Sequence, residues 1–215
     1  MKIMGNNGYY TLITGASSGI GKAFAEERAA RGNNLFLVSL PETGLPKLAE
    51  DLRSSHDIKV HYLCIDLRKP GSAEKIWDYA LEKQLPVDFL INNAGKGYDG
   101  GIEQYTEEEI NEMITLNIHV LTNLTRLFIP ELKKRERSYI LNVSSFGAFM
   151  PSAYKSVYLA SKSYVYYFSE ALRSELNGGP VRISTLMPSG VMTNGEVKER
   201  IRKAGMLGRA SALRP

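Results

Sequence analysis

Six short apolar runs, separated by stretches with helical spacing, restrict this chain to one class of fold. The runs are Tyr9–Thr14, Leu35–Ser39, Ile58–Ile65, Val87–Asn92, Tyr139–Ser144 and Val181–Met187. Between them, helix-period stretches cover about 20–31, 44–55, 72–84, 106–135 and 154–177. Strands alternating with helices predict an α/β protein built on a parallel sheet. The first, second, fourth and fifth runs are apolar on both faces, as strands covered by helices on each side must be. Turn residues mark the boundaries: Gly32-Asn33-Asn34, Pro86 and Gly178-Gly179-Pro180. Right-handed crossovers allow a doubly wound, three-layer sheet of order 3-2-1-4-5-6, with a ligand crevice where the order reverses.

Composition excludes several alternatives. The chain of 215 residues is 43% hydrophobic and 23% charged, which fits a soluble domain and neither a disordered segment nor a membrane bundle. No apolar stretch approaches the roughly 20 residues of a bilayer-spanning helix, and the first residues lack the apolar core of a secretory signal. The single cysteine, Cys64, agrees with a reducing compartment. A cytoplasmic protein is the expectation. The net charge of +4 suggests nucleic acid until it is located: from Glu196 onward there are six basic and two acidic residues, while residues 1–195 hold 21 of each. A neutral body with a short basic end does not make a nucleic-acid groove. His56, His61 and His119 are scattered, so no metal site is expected. A serine-hydrolase reading fails for want of a G-x-S-x-G elbow.

The first strand runs straight into Thr14-Gly15-Ala16-Ser17-Ser18-Gly19-Ile20-Gly21, and a helix follows. Glycines permit positive φ and a close backbone approach, and a helix N-terminus presents unpaired N–H groups to an anion. In this position the pattern predicts a dinucleotide pyrophosphate site of Rossmann type. Its G-x-x-x-G-x-G spacing, with the preceding threonine, resembles the short-chain dehydrogenase/reductase family. Further segments match that family in order: Asp66, then Asn92-Asn93-Ala94-Gly95, then Asn117, then Ser144-Ser145 with Tyr158-Leu159-Ala160-Ser161-Lys162. Pro188-Ser189-Gly190-Val191-Met192-Thr193 resembles the family's nicotinamide-side loop, with Ser189 where that pattern has glycine. The resemblance covers roughly residues 8–195.

Tyr158 and Lys162 stand four residues apart on a predicted helix and share a face. Tyrosine near pKa 10 is a poor acid or base at neutral pH, and a neighbouring cation brings it toward the working range. Tyr154, Tyr164, Tyr166 and Tyr167 crowd the same helix, but only Tyr158 has a lysine four positions later and a serine thirteen positions before it, Ser145. Strand alternation lets only one of Ser144 and Ser145 face the crevice. The spacing in the family that the chain resembles implies Ser145 as the carbonyl-orienting hydroxyl, with Ser144 as its rival. Taken alone, Asn117 could be a buried helix residue satisfied by backbone, and Asp66 a loop cap. The resemblance implies instead that Asn117 sits at a helix distortion serving a proton relay to Lys162, and that Asp66 meets the adenine. It also implies cofactor contacts at Gly15, Ser17, Ser18, Gly19, Ile20, Gly21, Ser39, Asn93, Ala94, Gly95, Tyr158, Lys162, Pro188, Val191 and Thr193.

After the second strand the chain reads Ser39-Leu40-Pro41-Glu42. It offers neither an acid for a ribose hydroxyl nor an arginine for a 2′-phosphate. With no acid to repel phosphate, and with hydroxyls at Ser17, Ser18 and Ser39, NADP is favoured over NAD. The expected activity is an NAD(P)-dependent oxidoreductase acting on a carbonyl or secondary alcohol. Residues 1–195 form the dinucleotide-binding and catalytic domain, and 196–215 a short basic C-terminal segment of it. Only 22 residues follow Thr193, too few for a further crossover and a seventh strand, so the sixth strand is expected as an open edge. The segment from about Asn194 is expected to be poorly ordered, and turnover weak. Outward apolar residues on two helices, among Leu121, Leu124, Phe128, Tyr164, Tyr167 and Phe168, predict a homodimer or homotetramer. Two readings compete: an extended-type epimerase, opposed by the glycine spacing, and a dinucleotide-binding regulatory protein, opposed by the retained Tyr–Lys pair.

Overall fold

The computed structural model describes residues 8–189. Val191, Thr193, the basic segment 196–215, the order of the chain from Asn194 and the question of a seventh strand lie outside the described residues. Six strands form one parallel sheet in the order β3-β2-β1-β4-β5-β6, as the alternation predicts. They are β1 (Tyr10–Thr14), β2 (Asn34–Ser39), β3 (Val60–Cys64), β4 (Val87–Asn92), β5 (Ser138–Val143) and β6 (Val181–Leu186). The helices are α1 (Gly19–Ala30), α2 (Leu45–Ser55), α3 (Ser72–Glu82), α4 (Glu107–Ile114), α5 (Leu121–Leu132) and α6 (Ser156–Glu175). A π-helical turn, Thr115–Val120, joins α4 to α5.

Successive strand residues feed two separate cores. Leu12, Phe36, Val38 and Leu90 pack with α3, α5 and α6 on one face. Their chain neighbours Ile13, Leu35, Leu37 and Ile91 pack with α1 and α2 on the other. The strand period of two thus explains why β1 and β2 read as continuous apolar runs: every one of their residues is buried. β5 departs from that expectation, because Tyr139 is 38% exposed and Leu141 only half-buried. β6 alternates buried Val181 and Ile183 with exposed Arg182 and Ser184, so among the described residues this end of the sheet is covered on one face.

Two expectations about helices need correction. Leu121, Leu124 and Phe128 do not face outward; all three are buried, Leu124 and Phe128 in the α3–α5 core, where Trp77 meets Phe128 edge-on at 5.0 Å. Phe168 packs against the same core, which leaves Tyr164 and Tyr167 exposed. Tyr154 is not on α6 at all, since its φ of 65° lies in the left-handed region and the helix starts two residues later. α4 starts where a capping box forms: Thr106 accepts from the Glu109 N–H, and the Glu109 carboxylate accepts from the Thr106 N–H.

Candidate active site

The carboxyl ends of the strands open onto a cavity of about 780 Å³. β1 delivers the glycine loop to one wall, with Gly15, Ser17, Ser18, Gly19 and Ile20 lining the cavity. Gly15 adopts φ 65°, and a Cβ on Gly21 would lie 2.2 Å from the Gly15 carbonyl oxygen, so the loop closes on itself without room for a side chain. Gly21 itself stands behind this wall. Ser18 is the N-cap of α1 yet makes no side-chain cap bond, which leaves the helix's first N–H groups for an anion. Thr14 ties β1 to β4: its hydroxyl oxygen accepts from the N–H groups of Asn93 and Ala94 at 3.1 and 3.0 Å. Asn93 in turn donates to the Thr14 and Gly15 carbonyls. Asn93, Ala94 and Gly95 therefore reach the cavity with the loop they brace.

Beyond β2 and β3 the cavity is walled by hydroxyls and ions. The Ser17 and Ser39 hydroxyls lie 2.7 Å apart, and Thr43 donates to Ser39 at 3.4 Å. Asp66 also lines the cavity, bonded to the Arg68 backbone N–H and guanidinium, and Arg68 reaches on to Glu112. The guanidinium holds the Asp66 carboxyl below the usual range. Sequence reasoning missed Arg68 and Glu112, because an ion pair across 44 residues leaves no local signal. Glu42, beyond the turn, is exposed. The hydroxyls, helix N-terminus and cations fit a dinucleotide's phosphates, with Asp66 at the far end from Lys162.

At the β5–α6 end stand Ser145, Tyr158 and Lys162, all lining the same cavity. Ser145 follows β5 and its hydroxyl oxygen accepts from the Gly147 N–H at 3.2 Å, as the N-cap of a 3₁₀ turn. Ser144 also borders the cavity, but it is 2% exposed and its hydroxyl donates to the Lys162 carbonyl at 2.7 Å, which locks α6 to the strand. Lys162 is 6% exposed, and its Nζ donates to the Val143 carbonyl at 3.0 Å. Burial pulls its pKa down to about 8, so the ammonium still carries its charge at pH 7. Nζ lies 5.9 Å from the centre of the Tyr158 ring. Pro188 closes this end.

Asn117 does not line the cavity. It occupies the π-helical turn and is 1% exposed. Its Oδ1 accepts from the Lys96 N–H, and its Nδ2 donates to the Lys96 carbonyl and to Ser161 Oγ, each at 2.9 Å. The helix distortion implied by the resemblance is present, and Asn117 uses it to clamp the loop after β4.

A short chain dehydrogenase family model matches residues 10–204. The chain belongs to the short-chain dehydrogenase family. One relative in the family, the very-long-chain 3-oxoacyl-CoA reductase of Kluyveromyces lactis, is 33% identical over 97% of this chain and 60% of its own length. The chain thus spans about three-fifths of the curated relative it matches. A short-chain dehydrogenase from Sphingobium yanoikuyae, solved in complex with NADPH, superposes with a TM-score of 0.82 at 35% identity, covering 89% of this chain and 74% of that one. Another from Burkholderia phymatum, in complex with NAD, gives 0.84 at 30% identity over 94% and 72%. Among the described residues no helix is long and apolar enough to cross a membrane, and no group of His, Cys, Asp and Glu could hold a metal ion.

Proposed function

We propose that this chain is an NAD(P)-dependent oxidoreductase that interconverts a carbonyl compound and a secondary alcohol, with Tyr158 as the acid/base group. One observation carries the reading: a buried lysine, a tyrosine and a serine hydroxyl line the same end of a cavity whose other end is a glycine-rich helix N-terminus. When bound, a nicotinamide dinucleotide supplies or accepts the reducing equivalent. Ser145 donates a hydrogen bond to the substrate oxygen and orients it. The Tyr158 hydroxyl gives its proton to that oxygen in reduction and takes it back in oxidation. Lys162, charged below pH 8, stabilises the phenolate left behind and holds the cofactor ribose. Asn117 supports the relay that returns a proton to Lys162, by fixing the Lys96 backbone beside it.

Within this reading the glycine loop from Gly15 to Gly21 takes the pyrophosphate, Asp66 the adenine, and Asn93, Ala94, Gly95, Pro188, Val191 and Thr193 the nicotinamide side. The hydroxyl cluster Ser17–Ser39–Thr43, with no acid at the end of β2, favours NADP. The setting is cytoplasmic, in line with the lone Cys64. Two-fold association through α5 and α6 is part of the proposal, supported by exposed Tyr164 and Tyr167 and tested by light scattering. The deciding experiment follows NADPH and NADH oxidation against aldehydes, ketones and 3-oxoacyl thioesters, the last chosen because the Kluyveromyces relative is named for them. Turnover of a carbonyl with either cofactor supports the reading; cofactor binding without any turnover favours the regulatory alternative.

A further inference from the structure

Gly97 lies two residues beyond the Asn92–Gly95 signature and is no part of it. Its backbone makes no demand for glycine, since it is not among the residues with positive φ. The demand comes from elsewhere. A Cβ at position 97 would meet the Tyr158 ring at 2.8 Å (Cδ2), 3.0 Å (Cε2) and 3.3 Å (Cγ). These separations are well inside ordinary carbon–carbon contact, about 3.5–4.0 Å, and the atoms belong to the rigid ring itself.

The loop cannot easily retreat. On one side, the Lys96 N–H and carbonyl are both bonded to Asn117, at 2.9 Å each. On the other, the Tyr98 carbonyl accepts from the Tyr105 hydroxyl at 3.1 Å, and the Tyr98 hydroxyl is bonded to Glu112. With the backbone pinned on both sides, a methyl group at position 97 displaces the ring. Gly100 differs: the nearest atom to its Cβ would be Gln104 Oε1 at 3.3 Å, the far end of a flexible side chain.

We propose that Gly97 is a positioning residue for Tyr158: its bare Cα seats the phenol ring against the pinned loop and so fixes where the hydroxyl meets the substrate. The inference rests on the acid/base reading of Tyr158, and it extends the reacting geometry to a residue outside the family's motifs.

The test compares Gly97→Ala, Gly100→Ala and Tyr158→Phe in the full chain. Crystal structures should show the Tyr158 ring displaced in Gly97→Ala and unmoved in Gly100→Ala. With a carbonyl compound turned over in the screen above, kcat of Gly97→Ala should fall about 10- to 100-fold. NADPH affinity, read by fluorescence titration, should stay within twofold, and the solvent deuterium isotope effect on kcat should rise as proton transfer becomes limiting. Simple destabilisation would lower the active fraction and leave that isotope effect unchanged. A ring in its original place with the loop shifted instead, or wild-type kcat in Gly97→Ala, overturns the proposal. A wild-type rate in Tyr158→Phe overturns the acid/base reading, while the crystal structures still decide whether Gly97 seats the ring.

Discussion

The two ends of the cavity handle their polar groups by opposite means. At the β2–β3 end, hydroxyl faces hydroxyl and carboxylate faces guanidinium: Ser17 with Ser39, and Arg68 between Asp66 and Glu112. The Arg68 side chain is 47% exposed, so its ion pairs are each worth at most about 1 kcal/mol and are easily exchanged. At the β5–α6 end, a lysine is buried against a backbone carbonyl and its charged form is disfavoured. The first end holds its groups by weak internal bonds that a ligand could replace. The second holds a charge whose burial costs the fold stability. Affinity and chemistry should therefore be separable by mutation.

The largest effect is expected at Tyr158. Tyr158→Phe should lower kcat by about 10²–10⁴-fold while NADPH affinity by fluorescence titration changes little. If a substantial fraction of the rate survives, the separation collapses at its chemical end.

Lys162→Met should also remove most of the rate, and should weaken cofactor binding, yet raise the melting temperature at pH 7. The sign follows from linkage. The folded pKa is about 8 against an ordinary 10.5, so below pH 8 both states carry the proton and the burial penalty is present in full. Between these values the unfolded chain binds a proton that the folded chain has lost, and wild-type stability recovers as pH rises. A net gain of about 1 kcal/mol corresponds to roughly 2–4 °C by calorimetry, and it should shrink when the scan is repeated above pH 9. A lower melting temperature for the variant at pH 7 would contradict the account of a strained charge.

At the other end, Gly21→Ala places a methyl group against the Gly15 carbonyl oxygen. It should destabilise the fold by about 1–3 kcal/mol and weaken binding of both dinucleotides. Equal NADPH affinity in variant and wild type would mean that the loop does not meet the pyrophosphate. The smallest effect concerns selectivity. Ser39→Asp, facing Ser17, should move the NADPH-to-NADH ratio of kcat/KM toward NADH by about tenfold, roughly 1.4 kcal/mol. An unchanged ratio would place the 2′-position elsewhere.

The regions legible in the sequence are those where local chemistry sets local shape. The glycine loop, the Asn92–Gly95 segment and the spacing of Tyr158 and Lys162 all declared themselves, and the strand order followed from alternation and handedness. What failed to show depends on a partner distant in sequence. Periodicity marked an apolar face on α5 but could not say that α3 covers Leu124 and Phe128. The positive φ of Tyr154, which delays the start of α6, is not a preference of tyrosine. Burial of Lys162 was equally invisible, since a lysine on a helix ordinarily reads as surface.

The π-helical turn between α4 and α5 carries a consequence for chain length. Each residue of an α-helix advances about 100° around the axis, so one residue more or fewer re-aims everything downstream. The turn at Thr115–Val120 absorbs such an offset. It lets α4 present Glu112 to the cavity while α5 buries Leu121, Leu124 and Phe128. Deleting a single residue between 115 and 120 would restore regular winding and leave those two demands in phase, but it would remove the bulge from which Asn117 clamps Lys96. In this stretch the number of residues is itself a specification, and a gap there is a heavier change than most substitutions.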